Sequence, residues 1–294
     1  MSVPAVSVLM PVYNTQAYLA EAVESILNQT FRDFEFIIID DGSTDRSLEI
    51  LRRYEQQDSR IRLTSRGNRG LIKTRNELLR EAKGELVAWA DSDDISYADR
   101  LEKQSHCLVS DSDVVWVGGA VELVDPNGCP ICVMGDPHNN GLCVTAMRRS
   151  VALRLGGFRE QFQIAEDTDL QLRMEESGRA IYLDRPLIRY RQHAGSICFT
   201  KRASVEAYKG LAIELAAQRR SIGSDALQLG KSVSLPPVQK HRPESVHKTY
   251  GRWAWWALGA GNVVTARKYA VKVAVQRPFS LKTWRLVACA LRGR

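Results

Sequence analysis

Along the first ninety residues of this chain, short continuous apolar runs alternate with one-faced apolar stripes. Val6-Ser7-Val8-Leu9-Met10 has strand length and stops at Pro11. Tyr18 to Leu27 follows, with Leu19, Ala22, Val23, Ile26 and Leu27 on one helical face. Phe34 to Ile39 predicts a second buried strand, ended by Asp40-Asp41-Gly42. Ser43 or Thr44 can cap the next helix, which carries Leu48, Ile50 and Leu51. Ile61-Arg62-Leu63 predicts a third strand and Leu71 to Ala82 a helix. Leu86-Val87-Ala88-Trp89-Ala90 predicts a fourth strand that runs into Asp91-Ser92-Asp93-Asp94. Strand and helix taking turns is the habit of an α/β chain with a parallel sheet.

Beyond Asp99 the rhythm loosens. A helix is expected over Leu101 to Val109 and a strand over Val114 to Val117. Residues 125–141, rich in Pro, Gly and Asn, read as loop. Leu153 to Phe158 closes a short helix at Gly156-Gly157, Asp169 to Glu176 is a helix ending near Gly178, and Ile181 to Tyr190 offers one or two strands. Strand signals stop near residue 201. The last fifty or so residues read as three short helices, separated by Gly259-Ala260-Gly261-Asn262 and by Arg277-Pro278.

Charge divides the chain at about the same point. Residues 201–294 hold 18 Lys and Arg against 4 Asp and Glu, a net of +14; the whole chain is +7, which leaves residues 1–200 at −7. A basic tail on an acidic body points to an anionic surface, for which nucleic acid and a membrane face both fit. At 294 residues there is room for one sizeable domain and a smaller appendage. The expected division is 1–200 and a helical extension over 201–294. Cys107, Cys129, Cys132, Cys143, Cys198 and Cys289 are scattered and form no disulfide framework, so a reducing compartment is expected. No leader pattern and no apolar stretch of membrane-spanning length is seen, so the expected setting is cytoplasmic.

Ligands of open α/β sheets sit at the carboxyl ends of the strands. Three polar clusters fall there: Pro11-Val12-Tyr13-Asn14, Asp40-Asp41-Gly42-Ser43 and Asp91-Ser92-Asp93-Asp94. Any one of them is an ordinary turn former. Three at strand ends point to a site, and the carboxylates of the two acidic clusters concentrate negative charge whose repulsion a divalent cation would relieve. Carboxylate oxygens suit Mg²⁺ or Mn²⁺, ions that commonly bridge carboxylates to substrate phosphates.

The ordered set of motifs resembles the family 2 glycosyltransferases with the GT-A fold. The resemblance rests on Val8-Leu9-Met10-Pro11-Val12-Tyr13-Asn14, Ser25-Ile26-Leu27-Asn28-Gln29-Thr30-Phe31 and Ile39-Asp40-Asp41-Gly42-Ser43-Thr44-Asp45. It continues in Ala90-Asp91-Ser92-Asp93-Asp94, similar to that family's Asp-X-Asp motif, and in Leu155-Gly156-Gly157-Phe158 with Ala165-Glu166-Asp167-Thr168-Asp169-Leu170, similar to its later Glu-Asp motif. It covers roughly residues 5–195.

The resemblance implies a Rossmann-like, mostly parallel sheet and an inverting transfer of a sugar from a nucleotide sugar, with a UDP-sugar as the expected donor. The acceptor would be a hydroxyl of a glycan or lipid-linked glycan in surface polysaccharide assembly. Asp41 would accept hydrogen bonds from the nucleotide base, with Pro11 and Tyr13 walling the pocket; Tyr13 could instead be a packing aromatic. Arg75 would meet a donor phosphate or lie on a solvated helix face. Asp91 and Asp93 would place the cation on the diphosphate, joined by His193 from Tyr190-Arg191-Gln192-His193. Asp167 is the expected general base, with Glu166 and Asp169 as rivals. Cys129-X2-Cys132-X5-His138-X4-Cys143 resembles a zinc knuckle with one residue too many in the middle. The competing and preferred reading of Leu142 to Ser150 is an acceptor-side strand.

Two rivals remain. A sugar-nucleotide pyrophosphorylase shares a related sheet but wants a Gly-rich, Arg-containing loop where Pro11-Val12-Tyr13-Asn14 stands. The other is a membrane- or nucleic-acid-binding module carried by the tail, with nucleic acid the less expected partner. Docking on an anionic membrane face, peripheral and cytoplasmic, would draw on the +14 excess and on Trp253, Trp255 and Trp256.

Overall fold

The computed structural model describes residues 3–135, 141–193, 196, 202–238 and 245–293. Its frame is a nine-stranded sheet. β1 (Val6–Val12), β2 (Phe34–Asp40), β3 (Ile61–Ser65) and β4 (Leu86–Trp89) form a parallel half in the order β3-β2-β1-β4. The helices between them are α1 (Leu19–Leu27), α2 (Ser47–Gln57) and α3 (Leu71–Glu81). In β1, Val6, Val8, Met10 and Val12 pack on one face with α1, while Leu9 packs on the other with Leu78 and Leu79 of α3. β1 and β2 are covered on both faces and have no solvated side, which is why they are mainly apolar, with the buried Ser7 donating to Glu35 (2.6 Å).

The second half is mixed. β5 (Ile95–Ser96), β6 (Val114–Val124), β7 (Pro130–Met134), β8 (Ala146–Arg148) and β9 (Arg179–Arg191) continue the sheet as β4-β8-β6-β9-β5, with β7 added beside β6. Only the β6–β9 pairing is parallel here. α4 (Arg100–Ser110), α5 (Arg149–Arg154) and α6 (Glu166–Glu175) cover this half. One difference from expectation stands out. β7 lies inside the stretch read as loop, because it forms by pairing with β6 rather than from any local pattern. The 181–190 region, expected as one or two strands, is one long strand: Pro186 lies opposite Ala120, where the register shifts and the missing amide donor is tolerated.

The C-terminal third is helical, as expected: α7 (Arg202–Ile222), α8 (Val246–Gly259), α9 (Val263–Gln276) and α10 (Leu281–Arg292). Tyr208, Leu211, Ala212 and Leu215 of α7 pack with Phe162 and Ile164 at the approach to α6. Trp253, Tyr269 and Leu286 from α8–α10 share one cluster with Val121, Leu123, Ile131, Leu187 and Ile188 of β6, β7 and β9. Asp125, fully buried just past β6, fixes that union: its Oδ2 accepts bonds from Lys268 and from Tyr269 Oη (2.8 Å). Trp253 is therefore core, whereas Trp255 and Trp256 are 43% and 39% exposed.

Candidate active site

The parallel register sets the site. Val12 pairs with Asp40 and Leu9 with Trp89, so the segments leaving β1, β2 and β4 emerge side by side at the carboxyl end of the parallel strands. Tyr13, Asp41 and Asp91 stand on those segments. Tyr13 is 50% exposed, which leaves its ring face available and does not make it a packing aromatic. Pro11 lies within β1, opposite Ile39.

Asp40 and Asp41 have different jobs. Asp40 is buried and accepts bonds from Ser43 N (3.2 Å) and Ser65 Oγ (2.9 Å), closing the turn. Asp41 accepts the amides of Arg69 and Gly70, both at 2.9 Å, and pairs with Arg66. It thus organises the 66–70 loop, and Oδ2, with one bond from Gly70, retains a lone pair. Gly42, at φ 78, lets that loop approach: a Cβ there would lie 2.7 Å from Asn68 N.

Asp91, Asp93 and Asp94 follow β4 in a tight turn held from a distance. Arg191 at the end of β9 is buried. Its amide donates to Asp94 Oδ1 (2.8 Å), its Nε to the Asp93 carbonyl (3.0 Å) and its second terminal nitrogen to Glu21 (2.5 Å). His193 follows two residues later, with Nε2 2.8 Å from Asp93 Oδ2 and its ring tilted against Tyr18 at 4.9 Å. Adjacent vertices of an octahedral site with ~2.1 Å bonds are about 3 Å apart, so these two atoms already have the spacing of neighbouring cation ligands.

Negative charge is crowded here. Burial, opposed by Arg75 and reinforced by Asp93 and Asp167, pushes the Asp91 carboxyl up to about 6. Burial and the charges of Asp93 and Asp91 push Asp94 well above the carboxylate range, and its Oδ2 is buried without a hydrogen-bond partner. Oxygens of Asp91 and Asp94 and the Sγ of Cys143 lie within 4.8 Å of one another. Carboxylates, an imidazole and uncompensated repulsion are the donor chemistry a hard divalent cation takes.

Arg75 is buried, not on a solvated face. It pairs with Glu166 and lies 3.6 Å from Asp91 Oδ1. Next to it, Asn76 clamps Phe158 by two 2.8 Å bonds, one to its amide and one to its carbonyl. Gly157, at φ 68, permits this, since a Cβ would lie 2.5 Å from Asn76 Oδ1. The three acidic residues of α6 separate cleanly. Asp169 is fully buried and paired with Arg173 (2.7 Å) and Arg159 (3.2 Å), so it holds structure. Glu166 is taken by Arg75. Asp167 is partly exposed and has no ion pair among the described residues; its charge reaches Asp91. Ala165, at the start of α6, is held at φ 56, an unfavourable conformation for alanine.

The expected residues therefore gather as two groups at that end of the sheet: Pro11, Tyr13 and Asp41, and Arg75, Asp91, Asp93, Asp167 and His193. Arg191, Asp94 and Cys143 were not singled out for this site. Arg191 stands two residues before His193 in the sequence, but its partners are up to 170 residues away. Cys143 sits on a short 3-10 turn (Leu142–Val144) rather than a strand. Among the described residues Cys129, Cys132 and Cys143 do not converge on one point, and His138 lies outside them.

The sequence model of glycosyl transferase family 2 matches residues 7–130. The putative glycosyltransferase EpsE of Bacillus subtilis is 36% identical over 207 residues, covering 64% of this chain and 73% of that protein. The chain belongs to glycosyl transferase family 2. An uncharacterized glycosyltransferase of Haemophilus influenzae is 40% identical over 119 residues, 40% of this chain and 48% of its own length. The chain thus spans about half of that relative.

Two solved structures share the fold. S. aureus TarS in complex with UDP-GlcNAc superposes with a TM-score of 0.56 at 19% identity, over 97% of this chain and 79% of that one. The mannosyltransferase PcManGT of Pyrobaculum calidifontis, in complex with GDP-Man and Mn²⁺, gives 0.56 at 20% identity, over 99% and 87%. This family 2 member has the GT-A fold: a mixed sheet with a parallel N-terminal half, followed by C-terminal helices.

Proposed function

We propose that this family 2 protein is an inverting glycosyltransferase that moves a sugar from a nucleotide sugar, a UDP-sugar by preference, to a hydroxyl of a glycan or lipid-linked acceptor in polysaccharide assembly. Residues 1–200 would carry donor and acceptor binding. The basic extension 201–294 would meet the anionic, cytoplasmic membrane face where such acceptors are presented. The observation that carries the reading is the meeting of Asp93 and His193 beside Asp91, with Asp167 close enough to raise the Asp91 carboxyl.

Tyr13 and Pro11 would wall the base and Asp41 would take its imide N–H on Oδ2. Asp91, Asp93 and His193 would hold Mg²⁺ or Mn²⁺, which when bound supplies positive charge to the leaving diphosphate. Arg75 holds Asp91 and Glu166 in place and adds a fixed positive charge beside the donor phosphates. Asp167 would accept the acceptor hydroxyl proton as that oxygen bonds to the anomeric carbon and the bond to the nucleoside diphosphate breaks on the opposite face. One displacement inverts the centre. UDP-GlcNAc in TarS and GDP-Man with Mn²⁺ in PcManGT support a nucleotide-sugar donor and a divalent cation.

The test is a panel of nucleotide sugars screened by thermal shift with Mn²⁺, Mg²⁺ or EDTA. One donor should raise Tm only with the cation. A donor that stabilises equally in EDTA would overturn the cation assignment, and no response to any nucleotide sugar would overturn the donor class.

A further inference from the structure

The solvent side of the last two helices is apolar in a way the catalytic site does not use. Phe279 in the α9–α10 turn is 99% exposed, Leu281 89%, Leu291 64% and Trp284 53%. On α10 the spacing of Leu281, Trp284, Ala288 and Leu291 puts them on one stripe, with Arg285 and Arg292 along one side of it and Lys282 further round on the same side. This is not the packing face: Thr283, Leu286 and Ala290 already point into the core. Trp284 Nε1 donates to the Pro278 carbonyl (2.7 Å), which lays the indole against the turn that carries Phe279.

Charge identifies the occupant. Residues 245–293 contain nine Lys and Arg and no Asp or Glu. Nucleic acid would satisfy the charge but gains nothing from a large exposed phenylalanine and leucine set between the basic positions. An anionic bilayer satisfies both, because phosphates lie at the surface and acyl chains just beneath. No helix among the described residues is long and apolar enough to cross a membrane, so the match is to a helix lying in the interface.

We propose that Phe279, Leu281, Trp284 and Leu291 insert at the headgroup–acyl boundary of an anionic bilayer, with Lys282, Arg285 and Arg292 against the lipid phosphates. This rests on the membrane-face reading above and moves the anchor from the tryptophans of α8, of which Trp253 is core, to α10 and the turn before it.

The test uses the full chain and sedimentation with phosphatidylglycerol/phosphatidylcholine vesicles at low salt, against phosphatidylcholine alone. Binding should need the anionic lipid and weaken with salt. L281D and L291D, both at outward positions, should keep the wild-type melting curve and lose binding at least about ten-fold. Brominated acyl chains should quench the fluorescence of the wild type, and W284F should remove most of that quenching while W255F does not. If the wild type binds and both aspartate variants bind equally well, this face is wrong and the membrane-face reading stands. If the wild type fails to sediment with anionic vesicles, both fall. Donor-induced thermal shift, read in parallel on every variant, keeps either failure separate from the glycosyltransferase assignment.

Discussion

Nε2 of His193 lies 2.8 Å from Oδ2 of Asp93, although a hundred residues separate them. The contact exists because Arg191, at the end of β9, bonds to the backbone of Asp93 and the carboxylate of Asp94, delivering His193 onto the turn after β4. A pair so placed has the spacing of two ligands of one small cation.

Removing either partner should therefore weaken the cation rather than the fold. D93N and H193A are expected to lower Mn²⁺ affinity, read as free Mn²⁺ by electron paramagnetic resonance, by at least about ten-fold, since each deletes one of few protein ligands. Both should melt close to wild type. Unchanged Mn²⁺ binding in both variants would sink the assignment.

The roles of Asp167 and Asp169 should separate by what each variant loses. D167N is expected to fold, to bind donor with wild-type affinity and to lose ~10²–10⁴-fold in kcat. D169N leaves Arg173 and Arg159 with a reduced counter-charge in the interior and should cost about 3–5 kcal/mol of stability. A D167N enzyme with wild-type kcat on its true acceptor would pass the role to another residue.

Arg75 should matter to structure before chemistry. R75M strips Glu166 of its partner in a buried position, a loss of about 3–5 kcal/mol. The double variant R75M/E166Q removes both charges and should recover much of that loss in urea unfolding. Equal destabilisation of the single and double variants would show that the pair is not the cause.

Docking of the C-terminal helices should depend on pH through Asp125. Bonds from Lys268, the Cys129 amide and Tyr269 outweigh burial and hold its carboxyl below the usual range. Its contribution is present above the unfolded-state value, about 3.9, and is lost as pH falls through the lower folded value. The stability difference between wild type and D125N should be constant near neutrality and shrink below about pH 4. A difference that does not change on acidification would show that the Asp125 charge is not what anchors α9.

Ala165 offers a test of stored backbone strain. A non-glycine residue at φ 56 costs roughly 1–2 kcal/mol, so A165G should raise stability by up to about 1 kcal/mol after glycine's greater unfolded-state freedom is counted. A lower Tm would mean that the methyl group has a packing role larger than the strain.

What the sequence determined by itself was whatever repeats at short range. Val6, Val8 and Met10 with Leu9 between them announce a strand covered on both faces, and Asp40-Asp41-Gly42 and Asp91-Ser92-Asp93-Asp94 mark where strands end, because apolar period and turn chemistry are properties of neighbours in the chain. The three closing helices are legible for the same reason, from Gly259-Ala260-Gly261-Asn262 and Arg277-Pro278. Only the tertiary structure decided which acidic residue of Glu166, Asp167 and Asp169 has no ion pair among the described residues, since that depends on where Arg75, Arg159 and Arg173 arrive. It also decided that Pro130–Met134 is a strand, that Trp253 is core while Trp284 faces outward, and that Arg191 holds the Asp93–Asp94 turn. The Arg75–Glu166 pair, the packing of Trp253 against β6 and β9, and the hold of Arg191 on Asp93 are settled by partners far away in the chain, and even the nearer pairings of β7 with β6 and of Asp169 with Arg173 depend on how whole elements are placed, which a local pattern does not carry.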